Sequence, residues 1–404
     1  MQIKSILKIL GLLLSLFSLS MLVPIAVAVL YSNDAIYPFI FSFIVTLGVG
    51  VILWFVFRKE NKELKIRDGF LIVTLFWVIL SLFGALPFIF ASSLPFDFTD
   101  AYFEAASGLT TTGASIISNL NQLPASILFY RQELQFLGGM GVVVLALAIL
   151  PMLGIGGMSL YRAEVPGPMK DDKLKPRLKE TAKALWYIYV GLTVLCTLAY
   201  WGSGMDLFHA IGESFGTVST GGFSMHQSSF AYYNSTAINL FGILFMFLGS
   251  INFSLHFMVV KNFTIKPYLK DAETKIYLFI LIFISIVSCV FLIIYRKDPL
   301  MFAQVVRDVF DVVSMASTTG FVTSNFSQWP HFLPILLVVV AMIGGCAGST
   351  AGGIKVIRLI LMWKVSLKEV KKLIHPNAVL PIKLNDSILP KNIIDAIQHI
   401  KVAT

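Results

Sequence analysis

The chain alternates long apolar runs with short basic segments, and this alternation constrains the fold more than any other feature. Runs over approximately 5–31, 36–57, 69–92, 132–154, 184–203, 237–260 and 276–295, with an interrupted one over 332–363, are each long enough as a helix to cross a hydrocarbon layer of ~30 Å at ~1.5 Å per residue. The first run is too long for the apolar region of a signal peptide and no convincing cleavage site follows it, so it is kept as a helix. With 57% of 404 residues apolar and 13% charged, one soluble core cannot hide this much apolar surface, and lipid must cover much of it. The expectation is an all-α, polytopic membrane protein.

Basic residues orient the runs. If each run crosses once, 27 of the 31 lysines and arginines fall on one side: Lys4 and Lys8, five in 58–67, seven in 162–183, four in 261–275, six in 355–372, and Lys383, Lys391 and Lys401. Arg131, Arg296, Lys297 and Arg307 fall on the other. Positive loops mark the cytoplasmic face, so both ends of the chain are expected there. The net charge of +9 then belongs to loops beside lipid headgroups. A nucleic-acid binder would not sort its charge by alternate loops. Cys196, Cys289 and Cys346 lie in apolar or glycine-rich segments and form no disulfide framework, and the six scattered histidines suggest no metal centre.

This sorting holds only if the segments 96–116, 205–224 and 299–322 do not cross. Each has a moderately apolar stretch too short for a span, followed by a cluster of hydroxyl residues and glycine. Each is expected to enter from outside and return there, and irregular backbone at membrane depth is tolerated only where protein buries it or it lines a watery path. Aligned on their Thr-Gly pairs, the clusters read GLTTTGAS (108–115), TVSTGGFS (217–224) and MASTTGFVT (315–323), with Gly113, Gly221 and Gly320 in register at spacings of 108 and 99. The result is a repeat of span, half-helix, polar loop and span with a period near 100 residues. The organisation expected is a helix pair (1–60), three repeats (61–160, 161–270 and 271–372) and a cytoplasmic segment (373–404).

Such a loop suits a dehydrating cation. Potassium leaving water must exchange its hydration shell for oxygens, and neutral carbonyls supply them without trapping the ion. Glycine permits the backbone angles that aim carbonyls inward, hydroxyls add oxygens or brace the loop, and a half-helix turns its negative C-terminal end toward the ion. The candidate cation-binding residues are Thr110, Thr111, Thr112 and Gly113, then Ser219, Thr220 and Gly221, then Ser317, Thr318, Thr319 and Gly320, with potassium as the metal held. Close helix packing by small residues is the competing reading of one such cluster; three at matched positions favour the filter. Glu104, Glu213, Asp308 and Asp311 on the half-helices are either ion ligands or braces behind the loops. Ser250, Asn252, Ser254 and His256 either tie helices together or line a pore.

The eighth run is interrupted by Gly344, Gly345, Cys346, Ala347, Gly348, Ser349, Thr350, Ala351, Gly352 and Gly353. Five glycines in ten residues, each costing about 1 kcal/mol against alanine in a helix, should break it. About 13 helical residues from His331 reach ~20 Å inward, so the break lies deep in the membrane, where a loop can obstruct a permeation path. A nucleotide-binding P-loop is excluded because no Ser or Thr follows Lys355. The basic, apolar segment 355–372 is expected to anchor at cytoplasmic headgroups, with docking of a partner as the alternative.

The stretches AYFEAASGLTTTGAS (101–115), YRQELQFLGGMGVVVLALAILPMLGIGGMSLYRAEVPGPMKDDKLKPRLKETAKALW (130–186), ESFGTVSTGGFS (213–224), NFSLHF (252–257), ASTTGF (316–321) and GGCAGSTAGGIKVIR (344–358) resemble the membrane subunit of Trk and Ktr potassium uptake systems, closest to the TrkH type, over essentially the whole chain. The resemblance implies repeats of the potassium-channel-like type around one central pore, preceded by a helix pair, in a bacterial cytoplasmic (inner) membrane. It implies potassium as substrate, no covalently bound cofactor, a homodimer in lipid, a cytoplasmic nucleotide-binding regulator of the TrkA kind, and residues 344–353 as a gating loop. Ala351 stands where family members commonly carry glycine. A secondary transporter of another cation or small solute is the alternative; such proteins commonly have inverted repeats, whereas these loops enter from one side. The family has four repeats, and the period of about 100 puts a fourth glycine near residue 420. Residues 373–404 resemble the family's cytoplasmic lead-in to its fourth repeat, and the resemblance implies a shortened chain lacking its fourth pore wall and the basic residue that the family places beneath the filter, its activity alone in question.

Overall fold

Apolar periodicity and a handful of polar interruptions decide where the helices begin and stop. In a computed structural model, residues 2–31, 36–60, 66–144, 174–296, 301–375, 380–384 and 387–388 are described. Helices α1 (Ile3–Ser20) and α2 (Leu22–Leu30) run on as one long apolar element, followed by α3 (Ile36–Phe57). This pair leans on the first repeat: Phe39 is buried 5.2 Å from the ring of Tyr130, which lies 5.3 Å from Phe88 and donates its hydroxyl to the Gly84 carbonyl at 3.0 Å.

Three units then share one pattern. The first has α4 (Ile66–Gly84) with α5 (Leu86–Phe90), the half-helix α6 (Phe98–Leu109) and α7 (Ala125–Val144). The second has α8 (Leu174–Gly202), α9 (Leu207–Val218), α10 (Thr236–Gly249) and α11 (Phe253–Asn262). After the short α12 (Lys266–Lys270), the third has α13 (Ala272–Arg296), α14 (Phe302–Ala316), α15 (Leu333–Ile343) and α16 (Val356–Ile374). A small antiparallel pair, Lys383–Leu384 with Ser387–Ile388, closes the described chain. Among the described residues five helices are long and apolar enough to cross a membrane, and six if α10 and α11 count as one bent span. On α13, Phe279, Phe283 and Ile286 are exposed while Tyr277, Leu281, Ile284 and Leu292 are buried, so one helix face meets the core and the other is left for lipid.

The first two half-helices start on side-chain caps, whereas α14 follows Met301 without one. Asp97 accepts the Asp100 amide at 2.8 Å, and Asp206 accepts those of Phe208 and His209 at 3.0 and 3.2 Å, satisfying amides that have no partner within the helix. Their apolar lengths of 12, 12 and 15 residues are short of a crossing.

Two expectations need correction. The run 237–260 is not one straight crossing: α10 and α11 meet at 99°. Asn252 caps α11 through the Ser254 amide at 2.8 Å, and His256 pins the corner, its Nε2 on the Leu248 carbonyl at 2.9 Å and its Nδ1 on the Tyr268 hydroxyl at 2.6 Å. Helix α7 begins at Ala125, not near residue 132, so Arg131 sits inside it, 1% exposed, rather than in an outer loop. The end of the run 132–154 beyond residue 144, the basic stretch 162–173, Lys297, and the tail with Lys391 and Lys401 lie outside the described residues.

Candidate functional site

Each half-helix ends in the same hydrogen-bonded motif. The amides of Thr110, Ser219 and Ser317 return to Ala106, Phe215 and Val313. Those of Thr111, Thr220 and Thr318 reach Gly108, Thr217 and Met315 at 3.0, 3.2 and 3.0 Å, and those of Thr112, Gly221 and Thr319 reach Ser107, Gly216 and Ser314 at 2.9, 2.8 and 2.9 Å. This is a Schellman cap, whose left-handed position usually takes glycine. Here threonine holds it three times, at φ of 53°, 50° and 59°. A β-branched residue in that region carries strain of about 1–3 kcal/mol, and its threefold recurrence marks the position as functional.

Glycine follows two residues later with φ again positive: 74° at Gly113, 84° at Gly222 and 86° at Gly320. Alternating signs of φ line up successive peptide units, amides on one side and carbonyls on the other. The amides at the start of each loop are consumed by the half-helix; in the second loop the Ser219 carbonyl accepts the Thr220 hydroxyl at 2.7 Å. In the second loop the residue equivalent to Gly113 and Gly320 is therefore Gly222. Alignment on Thr-Gly pairs selects Gly221 instead, one position early, because the loop has two glycines in a row. Gly221 occupies the position of Thr112 and Thr319.

The loops converge. A Cβ on Gly113 would lie 2.2 Å from the Gly221 carbonyl oxygen, and one on Gly222 only 1.9 Å from that of Thr319, so the first loop's backbone abuts the second and the second abuts the third, and only glycine fits at these two positions; a Cβ on Gly320 meets nothing within 4 Å among the described residues. The hydroxyls mainly brace: Thr110 donates to the Ala106 carbonyl at 2.7 Å and pairs with Thr112 at 2.8 Å, and Ser317 pairs with Thr319 at 2.7 Å.

Three carboxylates hold the returning strands from behind. Glu104 accepts from Ser115 Oγ at 3.0 Å and the Ile116 amide at 3.3 Å; Glu213 accepts from Ser224 Oγ at 2.7 Å, the Met225 amide at 2.9 Å and Tyr233 Oη at 3.0 Å. Asp311 accepts from the amide and hydroxyl of Thr323 at 2.6 and 3.0 Å and from Ser324 Oγ at 2.6 Å. These residues share the register of the glycines and serve as braces; Asp308, also buried, lies off that register.

The only local signal for the back wall on α7 is a set of polar side chains inside an apolar helix, itself a mark of function. Arg131 donates to Glu104 at 2.7 Å, to Ser115 Oγ at 3.0 Å and to the Ser224 carbonyl at 3.3 Å, with its guanidinium 4.2 Å from the Phe223 ring centre. Gln132 donates to the Phe223 carbonyl at 2.8 Å and Gln135 accepts the Phe223 amide at 3.1 Å. Repeats one and two are thus locked together beside the loops. Outside them, His226 stacks between His209 and Tyr232, ring centres 4.7 and 3.5 Å apart. Burial, and then the neighbouring His209, lower its pKa from the ordinary 6.5 to about 4.

Beneath the loops α15 stops at Ile343 and α16 restarts at Val356. The neck of this excursion is closed, since the amides of Ile354, Lys355 and Val356 bond to the carbonyls of Met342, Ile343 and Gly345 at 2.9, 2.9 and 3.1 Å. Its body reaches both neighbouring loops. Thr350 Oγ1 lies 3.0 Å from the carbonyls of Val218 and Gly249 and 3.2 Å from Thr220 Oγ1, and the Gly352 amide donates to Thr318 Oγ1 at 2.6 Å. Among the described residues, no group of three or more His, Cys, Asp or Glu side chains is placed to hold a metal ion.

The family profile described as "TrkH: Cation transport protein" matches residues 36–400. A Trk system potassium uptake protein TrkH from Vibrio parahaemolyticus is 49% identical over 399 residues, covering 98% of this chain and 82% of that protein. The TrkH of Escherichia coli is 49% identical with the same coverages, and the Escherichia coli TrkG is 38% identical over 96% of this chain and 80% of its own length. The crystal structure of the potassium transporter TrkH from Vibrio parahaemolyticus superposes with a TM-score of 0.90 at 46% identity, covering 100% of this chain and 83% of that one.

Proposed function

Because the chain belongs to the TrkH family of cation transport proteins, we propose that the three converging loops select potassium during its uptake and that the excursion at 344–353 gates its passage. The chain is a membrane transport protein, not an enzyme, and potassium uptake is its activity as the pore-forming subunit of a Trk-type system. An ion arriving from outside meets carbonyls around Gly113, Gly222 and Gly320. The half-helices α6, α9 and α14 add the partial negative charge of their C-terminal ends. Braced by Glu104, Glu213 and Asp311, the oxygens need little rearrangement when water is stripped away.

Further in, residues 344–353 lie across the route and must move for the ion to pass. Basic residues of α16 face the cytoplasm in this reading, where a nucleotide-binding regulator of the TrkA kind engages a homodimer embedded in lipid. The observation that carries the proposal is the threefold recurrence of left-handed threonine and glycine at converging helix ends. Rubidium uptake by vesicles containing the protein tests it. Uptake competed by potassium but not by equal sodium supports selection at these loops, and equal competition by both ions contradicts it.

A further inference from the structure

Glu273 lies in the first turn of α13, the outer helix of the third unit, and is 7% exposed. Its Oε1 accepts two backbone amides from opposite sides of the broken helix: Ala347 in the excursion at 2.8 Å and Ile357 in the first turn of α16 at 2.9 Å. The second contact satisfies an amide that a helix N-terminus leaves unpaired, with negative charge at the positive end of the helix. One oxygen therefore fixes the excursion and the restarting helix to a third element.

The rest of the loop docks on the corner between α10 and α11. The Cys346 amide donates to the Ser250 carbonyl at 2.9 Å, the Thr350 amide to Gly249 at 3.2 Å, and the Phe253 amide to the Gly348 carbonyl at 3.0 Å. A straight α10–α11 helix would spend these groups on its own ladder. The 99° bend frees them as a cradle, so the two broken helices of adjacent units interlock.

We propose that Glu273 is a positioning residue that clamps the loop into this cradle, so that movement of α13 relative to α16 at the cytoplasmic end releases it. The proposal rests on the gating role of 344–353 for its consequence, not for the clamp itself. Cys346 is a native reporter: it is in the loop, fully buried, with a free thiol. Cys196 and Cys289 are also buried, in α8 and α13, and report general loosening.

The protein in membrane vesicles is treated with N-ethylmaleimide, and modification of each cysteine is followed by peptide mass spectrometry alongside rubidium flux. Glu273→Ala removes the accepting oxygen and is expected to label Cys346 about tenfold faster or more, as loss of two charge-assisted bonds requires. Glu273→Gln keeps an accepting oxygen without the charge, and its rate should fall between wild type and Ala. Cys196 and Cys289 should stay at wild-type rates. Unchanged Cys346 labelling in Glu273→Ala overturns the clamp, as does a parallel rise at Cys196. Faster Cys346 labelling with unchanged rubidium flux leaves the clamp standing and removes the gating role instead.

Discussion

Gly222→Ala separates steric closure of the loops from backbone strain. At φ 84° any side chain carries a left-handed penalty of about 1–2 kcal/mol. Gly204, in the turn before α9, has φ 98° and thus a comparable penalty, but a Cβ there meets nothing within 4 Å among the described residues. At Gly222 the added carbon would lie 1.9 Å from the Thr319 carbonyl oxygen and 3.1 Å from its carbon, both backbone atoms. The second and third loops must then part by about 1 Å, a displacement of the size that degrades a preorganised site by orders of magnitude. Competitive rubidium and sodium flux reads the result. Gly222→Ala is expected to lower the preference for rubidium at least tenfold, or about 1.4 kcal/mol, and Gly204→Ala to leave it unchanged while costing similar stability. Equal effects from the two, or a fully selective Gly222→Ala, would show that the contact does not set selection.

Arg131→Met leaves the fully buried Glu104 without its cation and is expected to destabilise by about 3–5 kcal/mol, read as a lower melting temperature in detergent; adding Glu104→Gln should recover part of the loss, and no recovery would argue against the pairing as the cause. Thr111→Gly relieves left-handed strain and should raise stability by about 1 kcal/mol, whereas a lower melting temperature would mean that the side chain contributes more than its strain costs. His226 is harder to protonate in the folded protein than at its ordinary pKa of 6.5, so the unfolded chain binds more protons between pH 6.5 and about 4 and stability falls as pH drops through that window. His226→Gln should flatten this part of the melting profile; an unaltered profile would assign the slope to other groups.

Much of this architecture is legible in the sequence because its signals are local. Runs too short to cross, each followed by hydroxyls and glycine, mark α6, α9 and α14, and glycine density marks the break after Ile343. What escaped depends on contacts between units. Gly221 and Gly222 are indistinguishable until their hydrogen bonds fix the register. Arg131 resembles an outer-loop cation until α7 is seen to start at Ala125, and only then does YRQELQ become a polar stripe inside a helix. The corner at 250–252 lies in a run apolar enough to pass for one span, because its cost is offset by the excursion docked on it. Glu273 has no sequence signature; its partners are 74 and 84 residues away.

The direction from which the loops enter the bilayer is testable with introduced thiols. Ser93 and Ser118 flank α6, Ser228 follows α9 and Ser327 follows α14, all exposed, and Lys266 is exposed beyond the corner. In intact cells a membrane-impermeant thiol reagent should label Ser93→Cys, Ser118→Cys, Ser228→Cys and Ser327→Cys, and should reach Lys266→Cys only after permeabilisation. Labelling of Ser93→Cys and Ser118→Cys from opposite faces would mean that α6 crosses the membrane, and the converging filter would have no basis.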